Sequence, residues 1–155
     1  MRDFKKVKRI DPKHIKDSRK FEFGSIWQVR DALINLPNID RTMDERKYHF
    51  SRCAVIIDNS EENFNEDSLT ILTAPISHRV DCKRKFDIDL YPDSDSVKEN
   101  SIIMVDYIQP ILKVDLYKCV GNISNDKKYE LFDMIMAKLG IDTKEESATT
   151  KNEDK

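Results

Sequence analysis

The chain has 155 residues, of which 36% are charged and 39% hydrophobic, and its formal net charge is −2. This length fits one domain built around one core. No apolar run approaches the roughly 20 residues of a membrane-spanning helix, and the N-terminus lacks the apolar core of a signal peptide. We therefore expect a cytoplasmic protein, and the slightly negative charge argues against a general nucleic-acid binder.

The charge is unevenly distributed along the chain. Residues 1–20 contain nine Lys or Arg and three Asp, which predicts a basic N-terminal arm that could supply phosphate contacts. Residues 142–155 are polar without an apolar period and predict a disordered tail. The predicted folded domain is therefore 21–141.

Apolar runs between the arm and the tail predict short strands, because they alternate or are rich in β-branched residues. These runs lie at 21–29, 52–58, 68–76, 84–91, 100–112 and 116–124. Pro75 indicates a strand end or a sheet edge, and Pro110 indicates a break or bend in the fifth run. Segments 58–68 and 91–100 are dense in Asn, Asp and Ser and predict loops, and 30–50 predicts a long excursion between two strands.

One helix is predicted near the C-terminus. Ser124 or Asn125 can cap its start, and Gly140 provides a left-handed stop. A broad apolar stripe of Leu131, Phe132, Ile135, Met136 and Leu139 is expected to pack on the sheet. The predicted fold class is mainly β with a C-terminal helix, in the form of a small antiparallel β-barrel.

Five segments in order carry a resemblance to a known family: FGSIWQV, SRCAVIIDN, TAPIS, SIIMVDYIQPI and VGNISNDKKYELFDMIMAKLGI. Together they resemble the MazF/PemK (Kid) family of toxin endoribonucleases, relatives of the CcdB fold, from about residue 23 to 141. The resemblance implies an SH3-like barrel, a homodimer, and cleavage of single-stranded RNA (mRNA) without a metal or cofactor. It also implies a cognate antitoxin as partner.

The chain departs from the family pattern before its second strand. The family commonly has a glycine-rich loop and an Arg-Pro pair there, whereas this loop lacks glycine and Cys53 follows Arg52. That loop contributes to substrate choice in relatives, so the cleavage sequence cannot be transferred to this chain.

Three residues are candidates for catalysis. The resemblance assigns Arg52 to the family's arginine position and Ser77 to its threonine position. A guanidinium suits a phosphate because its planar fork holds two oxygens and stays charged. His78 follows Ser77 and is a candidate for proton transfer near neutral pH, although a solvated strand-end histidine is an equal alternative. Which group accepts the proton of the 2′-hydroxyl stays open.

Further residues are candidates for binding RNA. Aromatic rings stack single-stranded bases, and cations position phosphates. The candidates are Trp27, Tyr48, His49, Arg79, Lys83 and Arg84. A position in the core or a dimer interface is the stronger alternative for Trp27, and a loop position without chemical role is the stronger one for His49.

Two other functions compete with RNA cleavage. A CcdB-like barrel would bind DNA gyrase and would need no Arg52–Ser77 pair, since the end of its C-terminal helix would make the contact. A degenerate family member would act as an RNA-binding or regulatory module. The missing glycine loop and the negative charge favour that last alternative.

Overall fold

The structure is a computed structural model that describes residues 7–42, 46–58 and 60–141. Seven strands form the framework: β1 (Ser25–Arg30), β2 (Ser51–Ile56), β3 (Thr70–Ser77), β4 (Ile88–Leu90), β5 (Ser101–Ile103), β6 (Gln109–Leu112) and β7 (Leu116–Asn122). Three α-helices accompany them: α1 (Pro37–Thr42), α2 (Ser60–Asn63) and α3 (Asn125–Lys138). Short 3₁₀ turns lie at Pro12–His14, Asp31–Leu33, Val80–Cys82, Val105–Tyr107 and Lys113–Asp115.

All recorded strand pairs are antiparallel, in the order β4-β5-β3-β2-β1-β7. The first half of β3 pairs with β6 and its last two residues pair with β5, so β3 connects both parts of the sheet. The predicted class, mainly β with one C-terminal helix, is confirmed. The barrel is an open one, because β4 and β7 are not paired in the described part of the chain.

A loop bridges this gap between β4 and β7. The backbone N–H of Ser96 donates to the carbonyl of Asn122 at 3.0 Å, and the N–H of Asn122 donates to Ser96 Oγ at 3.0 Å. The N–H of Ser124 donates to Asp95 Oδ1 at 2.8 Å. Ser96 can approach this closely because the facing residue is Gly121, at φ +142°, where a Cβ would lie 2.1 Å from Ser96 Oγ.

Both prolines behave differently from expectation. β3 continues past Pro75 to Ser77, and the Pro75 carbonyl accepts the N–H of Met104 at 2.9 Å, so the predicted strand end is wrong. The proline lacks a donor but keeps this acceptor. The run 100–112 is indeed interrupted, but at the 3₁₀ turn Val105–Tyr107, whereas Pro110 lies inside β6 opposite Leu72.

Two apolar clusters cover the two faces of the sheet. Trp27 and Ile56 belong to one cluster, and their neighbours Ile26 and Val55 belong to the other. Because side chains alternate along a strand, burial of consecutive residues means that both faces are covered.

Helix α3 begins where the sequence predicts, but a smaller part of its surface is buried against the sheet than predicted. Ser124 is the N-cap, and its hydroxyl accepts the N–H of Lys127. Leu131 is fully buried, whereas Phe132 and Leu139 are 52% and 66% exposed. The expected broad contact is therefore wrong, because only one edge of the helix meets the sheet. No helix among the described residues is long and apolar enough to cross a bilayer.

The end of the basic arm lies against the barrel. Arg19 Nη2 donates to the Lys113 carbonyl at 2.7 Å, and the Arg19 guanidinium lies 5.4 Å from the Trp27 ring centroid. Lys16 pairs with Asp67 at 2.8 Å. Residues 1–6 of the arm and the tail 142–155 lie outside the described residues.

Gly121→Ala is expected to destabilise the protein by about 2–4 kcal/mol, because the methyl group adds a collision with Ser96 to the backbone strain. Gly140→Ala is the matched control, since Gly140 also has a positive φ but has open space around its Cα. The control should cost only about 1–2 kcal/mol. Urea unfolding of both variants measures the difference, and equal losses would contradict the close packing of Ser96 on Gly121.

Candidate functional site

A cavity of about 550 Å³ opens between one end of the sheet and the loop before β5. Strand residues form its floor, and residues 96–99 form the opposite wall. Its lining consists of Gln28, His49, Ser51, Arg52, Cys53, Ile76, His78, Ser96, Val97, Lys98, Glu99, Ser101 and Val120. It brings three sequence-predicted residues together: Arg52, His78 and His49.

Arg52 is held at this cavity by two hydrogen bonds. Its Nε donates to Asp31 Oδ1 at 2.8 Å, and its Nη1 donates to the carbonyl of Ile76 at 3.1 Å. The side chain is only 16% exposed. Two bonds to separate parts of the planar guanidinium fix its orientation, while Nη2 makes no hydrogen bond within the described residues.

Asp31 connects Arg52 with the loop that precedes β2. It lies in the 3₁₀ turn after β1, its side chain is fully buried, and Arg46 Nη2 donates to its Oδ1. Its Oδ2 accepts the backbone N–H of His49 at 2.9 Å. The Asp31 carboxylate therefore fixes the side chains of Arg46 and Arg52 and the backbone at His49.

These contacts decide the ionisation of Asp31. Burial acts to raise its pKa, but the hydrogen bonds from Arg52 and His49 and the attraction of Arg52 and Arg46 outweigh burial. The pKa of Asp31 is therefore below its ordinary value of 3.8, and the carboxylate stays charged at neutral pH.

Ser77 and His78 lie at the end of β3 with different surroundings. The pairing of β3 with β2 ends at Ala54↔Pro75, and beyond it Ser77 pairs with Ile102 of β5. The Ser77 hydroxyl accepts the backbone N–H of Arg79 at 3.1 Å and is not part of the cavity lining.

The exposed His78 side chain reaches the cavity from the other side of the strand end. Its Nδ1 lies 3.5 Å from Glu99 Oε1, and both residues line the cavity. Glu99 thus faces the imidazole across the mouth of the cavity, where it can orient the ring.

Trp27 is not available for stacking on RNA. Its side chain is 8% exposed, its indole N–H donates to Ser25 Oγ at 3.0 Å, and its ring packs against Phe21 with centroids 4.6 Å apart. The RNA-binding assignment of Trp27 is therefore wrong, and the alternative of a core aromatic holds. Tyr48 is half-buried and is not part of the cavity lining, and the Arg46 guanidinium lies 4.5 Å from its ring centroid.

Three predicted phosphate-binding cations lie outside the cavity lining, and each has an acidic partner. Arg79 binds both carboxylate oxygens of Asp81 at 2.9 and 2.8 Å, and these bonds lower the pKa of Asp81 to about 2. The other two cations pair as Lys83 with Asp89 at 2.6 Å and Arg84 with Asp106 at 3.8 Å. Their partners reduce the positive field that these three cations offer to RNA.

Sequence analysis missed Asp31, Glu99, Lys98 and Gln28. A signal existed for Asp31, since the pairing of Val29 with Arg52 brings the end of β1 beside Arg52. No comparable signal existed for Glu99 or Lys98, because a loop rich in polar residues does not indicate which of them face inward. No group of three or more His, Cys, Asp or Glu in the described ranges is arranged to hold a metal ion.

Asp31→Asn is expected to lower the free energy of unfolding at pH 7 by about 3–5 kcal/mol, because it leaves two guanidiniums near a neutral amide. The difference in free energy of unfolding between wild type and Asp31→Asn should be smaller at pH 3 than at pH 7. A carboxylate whose pKa is lower in the folded than in the unfolded state stabilises the folded state at pH values above the unfolded-state pKa. This stabilisation is lost as the pH falls through the folded-state pKa.

Urea unfolding at both pH values tests this, with the exposed Asp133→Asn on α3 as control. The control should change stability by no more than about 0.5 kcal/mol. A gap between wild type and Asp31→Asn that stays the same at pH 7 and pH 3 would refute the charged assignment.

One protein-family model matches the chain. Residues 32–139 match the family model described as PemK-like, MazF-like toxin of type II toxin–antitoxin system. No sequence among proteins of curated function is significantly similar to the chain.

Several solved structures share the fold. The Mycobacterium tuberculosis toxin MazF-mt6 has 15% identity and a TM-score of 0.56, over 76% of this chain and 98% of that one. MazF in a MazE–MazF crystal structure from Deinococcus radiodurans has 12% identity and a TM-score of 0.55, over 81% and 100%. A mycobacterial endoribonuclease in complex with its cognate antitoxin has 13% identity and a TM-score of 0.53, over 77% and 92%. The match to the family model covers most of the folded domain, and the chain belongs to the PemK-like, MazF-like toxin family of type II toxin–antitoxin systems.

Proposed function

We propose that the chain is an endoribonuclease toxin that cleaves single-stranded RNA at the Arg52 cavity. The observation that carries this proposal is that an oriented guanidinium and an imidazole line one open cavity. The similar structures described as endoribonucleases support the same reaction class.

The proposed reaction uses the nucleophile that RNA supplies. The 2′-oxygen attacks the adjacent phosphorus, a base accepts the 2′ proton, and the bond to the 5′-oxygen breaks as that oxygen takes up a proton. The products are a 2′,3′-cyclic phosphate and a 5′-hydroxyl. This sequence needs alignment, charge stabilisation and proton transfer, which side chains can provide without a metal.

Arg52 is the proposed phosphate-binding residue. Asp31 and the Ile76 carbonyl hold one part of the guanidinium, and Nη2 is left to donate to a non-bridging phosphate oxygen. A donor that is already oriented stabilises developing negative charge without reorganising during the reaction.

His78 is the proposed group for proton transfer. With Nδ1 facing Glu99, Nε2 is left for the 2′-hydroxyl or the 5′-oxygen. Ser77 is the proposed hydroxyl donor to the scissile phosphate, because it follows Ile76, whose carbonyl accepts a hydrogen bond from Arg52 Nη1. Tyr48, His49, Arg79, Lys83 and Arg84 stay candidates for contacts along the RNA.

The proposed partners follow from the family and its relatives. Similar structures contain a cognate antitoxin or a MazE–MazF pair, and we expect an antitoxin to bind this chain. We also expect a homodimer, and the exposed apolar residues Phe132 and Leu139 of α3 are available for a contact between protein chains.

Arg52→Ala is expected to reduce RNA cleavage about 10²- to 10³-fold, the usual loss for an oriented donor at a charged transition state. Arg52→Lys should recover only part of the rate, because one ammonium nitrogen cannot reproduce the planar arrangement in which Nε and Nη1 bond the protein while Nη2 faces the phosphate. Gel analysis of a long single-stranded RNA in EDTA measures the rate, and end mapping identifies the products.

Lys85→Ala is the control for this experiment, since it removes an exposed cation outside the cavity. If Arg52→Ala cleaves RNA at the wild-type rate, the proposed site is wrong. Intact RNA together with inhibition of DNA gyrase would favour the CcdB-like function, with exposed Leu139 and Ile141 at the end of α3 as its contact.

His78→Gln is expected to reduce cleavage about 10²- to 10⁴-fold and to remove one limb of the pH–rate profile, because glutamine cannot exchange a proton. His49→Gln should have a smaller effect, since the contact of His49 with Asp31 is made by its backbone. Rates of both variants between pH 5 and 9 test the assignment. Equal profiles for His78→Gln and wild type would show that another group moves the proton.

A further inference from the structure

The wall of the cavity is a loop that is fixed at several points. The buried Asp95 accepts the backbone N–H of Ser124 at 2.8 Å, and two hydrogen bonds join Ser96 to Asn122 of β7. Lys98 follows two residues after Ser96, and β5 begins three residues after Lys98. The backbone that carries Lys98 is therefore held on both sides, so its side chain starts from a defined position in the wall.

Lys98 is a cation without an acidic partner in the part of the chain that the structure describes. Its side chain is exposed and lines the cavity. The neighbouring Glu99 faces His78, at 3.5 Å, and Arg79 and Lys83 outside the cavity each bond an aspartate. A cation that faces a cavity without a carboxylate beside it keeps its positive field for an anionic ligand.

The thiol of Cys53 indicates where the ammonium group of Lys98 lies. Cys53 is half-buried in the floor of the cavity, and burial raises the pKa of its thiol. The positive charges of Lys98 and Arg52 act against burial, because both favour the thiolate. Since such an attraction weakens with distance, both cations lie near this one thiol.

Lys98 and Arg52 nevertheless occupy separate points around the cavity. Arg52 and Cys53 are consecutive residues of β2, so their side chains leave the strand on opposite faces. Asp31 and the carbonyl of Ile76 hold the Arg52 guanidinium, whereas Lys98 extends from the wall that faces Cys53. We therefore expect each cation to bind a different phosphate group.

We propose that Lys98 binds a second phosphate of the RNA strand, separate from the scissile phosphate at Arg52. The inference rests on the proposed function, because it takes RNA as the ligand. Two separate phosphate contacts require a strand with at least two phosphates, so the ligand class is an oligonucleotide of three or more linked nucleosides. No bond changes at the second phosphate, and Lys98 therefore contributes to binding rather than to the chemical step.

The salt dependence of binding counts such phosphate contacts. A cation that binds a phosphate of a single strand releases counterions, so the logarithm of the association constant falls against the logarithm of salt concentration by about 0.7 per contact. Lys98→Ala should reduce this slope by about 0.7 and weaken binding at low salt about fivefold to tenfold. Lys98→Arg should retain most of the slope, because it keeps the charge.

Anisotropy of a fluorescein-labelled random pool of twelve-nucleotide 2′-deoxy oligomers measures the slope between about 50 and 200 mM salt. These oligomers lack the 2′-hydroxyl and are not cut by the proposed reaction, so affinity is measured apart from cleavage. Arg52→Ala should also reduce the slope by about 0.7, and the double variant of Lys98→Ala and Arg52→Ala by about 1.4, because independent contacts add.

Lys85→Ala is the matched control, because it removes an exposed cation outside the cavity lining and should leave the slope unchanged. Thermal unfolding of each variant checks that the fold is intact. If the double variant unfolds, the slope of Lys98→Ala alone decides the proposal.

Cleavage kinetics give a second measurement. A contact with a phosphate that does not react stabilises the bound substrate and the transition state alike. Lys98→Ala should therefore raise KM about fivefold to tenfold and leave kcat within about twofold of wild type. Arg52→Ala should instead lower kcat.

The outcomes separate this inference from the nuclease proposal. Equal slopes for wild type and Lys98→Ala, or absence of oligomer binding by wild type, would overturn the contact at Lys98 without touching the cleavage assay. A double variant that loses no more slope than Arg52→Ala would show one shared phosphate and overturn the second contact. Binding that depends on Lys98 without any cleavage of RNA would support the contact and overturn the nuclease.

Discussion

The functional end of this protein depends on the buried carboxylate of Asp31. It accepts hydrogen bonds from Arg46, Arg52 and the backbone of His49, and these three groups come from a loop and a strand that would otherwise be independent. The two guanidiniums face two carboxylates, because Asp40 also lies 3.3 Å from Arg46, so the formal charges of these four groups cancel. What the cluster provides is therefore a guanidinium of fixed orientation, which can donate to an anion without reorganising.

The cavity combines charged and apolar side chains. Arg52, Lys98 and His78 line it together with the apolar side chains of Ile76, Val97 and Val120. A phosphate is best bound near water because its charge is costly to bury, whereas a base gains from burial of its faces. Cations that line one cavity are compatible with the proposed RNA substrate even though the net charge of the chain is −2.

Much of the architecture was predictable because the signals for strands and helix caps lie within a few consecutive residues. The β-branched run at β2, the N-cap Ser124 and the glycine after α3 each act within a few residues. For Trp27 the stronger alternative, a core position, is confirmed, whereas its role in RNA binding is wrong. The sequence left both open because the exposure of Trp27 depends on the layer that covers its face, which strand alternation does not reveal. Pro75 was mispredicted because proline loses only its donor, and its carbonyl found a partner 29 positions away.

Closure of the barrel and the shape of the cavity share one short segment. Ser96 bonds Asn122 across the open side of the sheet, and Ser96 to Glu99 also form a wall of the cavity. Substitutions in this wall therefore weaken the hydrogen bonds between Ser96 and Asn122 that bridge β4 and β7. Substitutions in the strands that form the floor of the cavity leave these bonds intact. Substitutions that change what the cavity binds are accordingly better tolerated in the floor than in the wall.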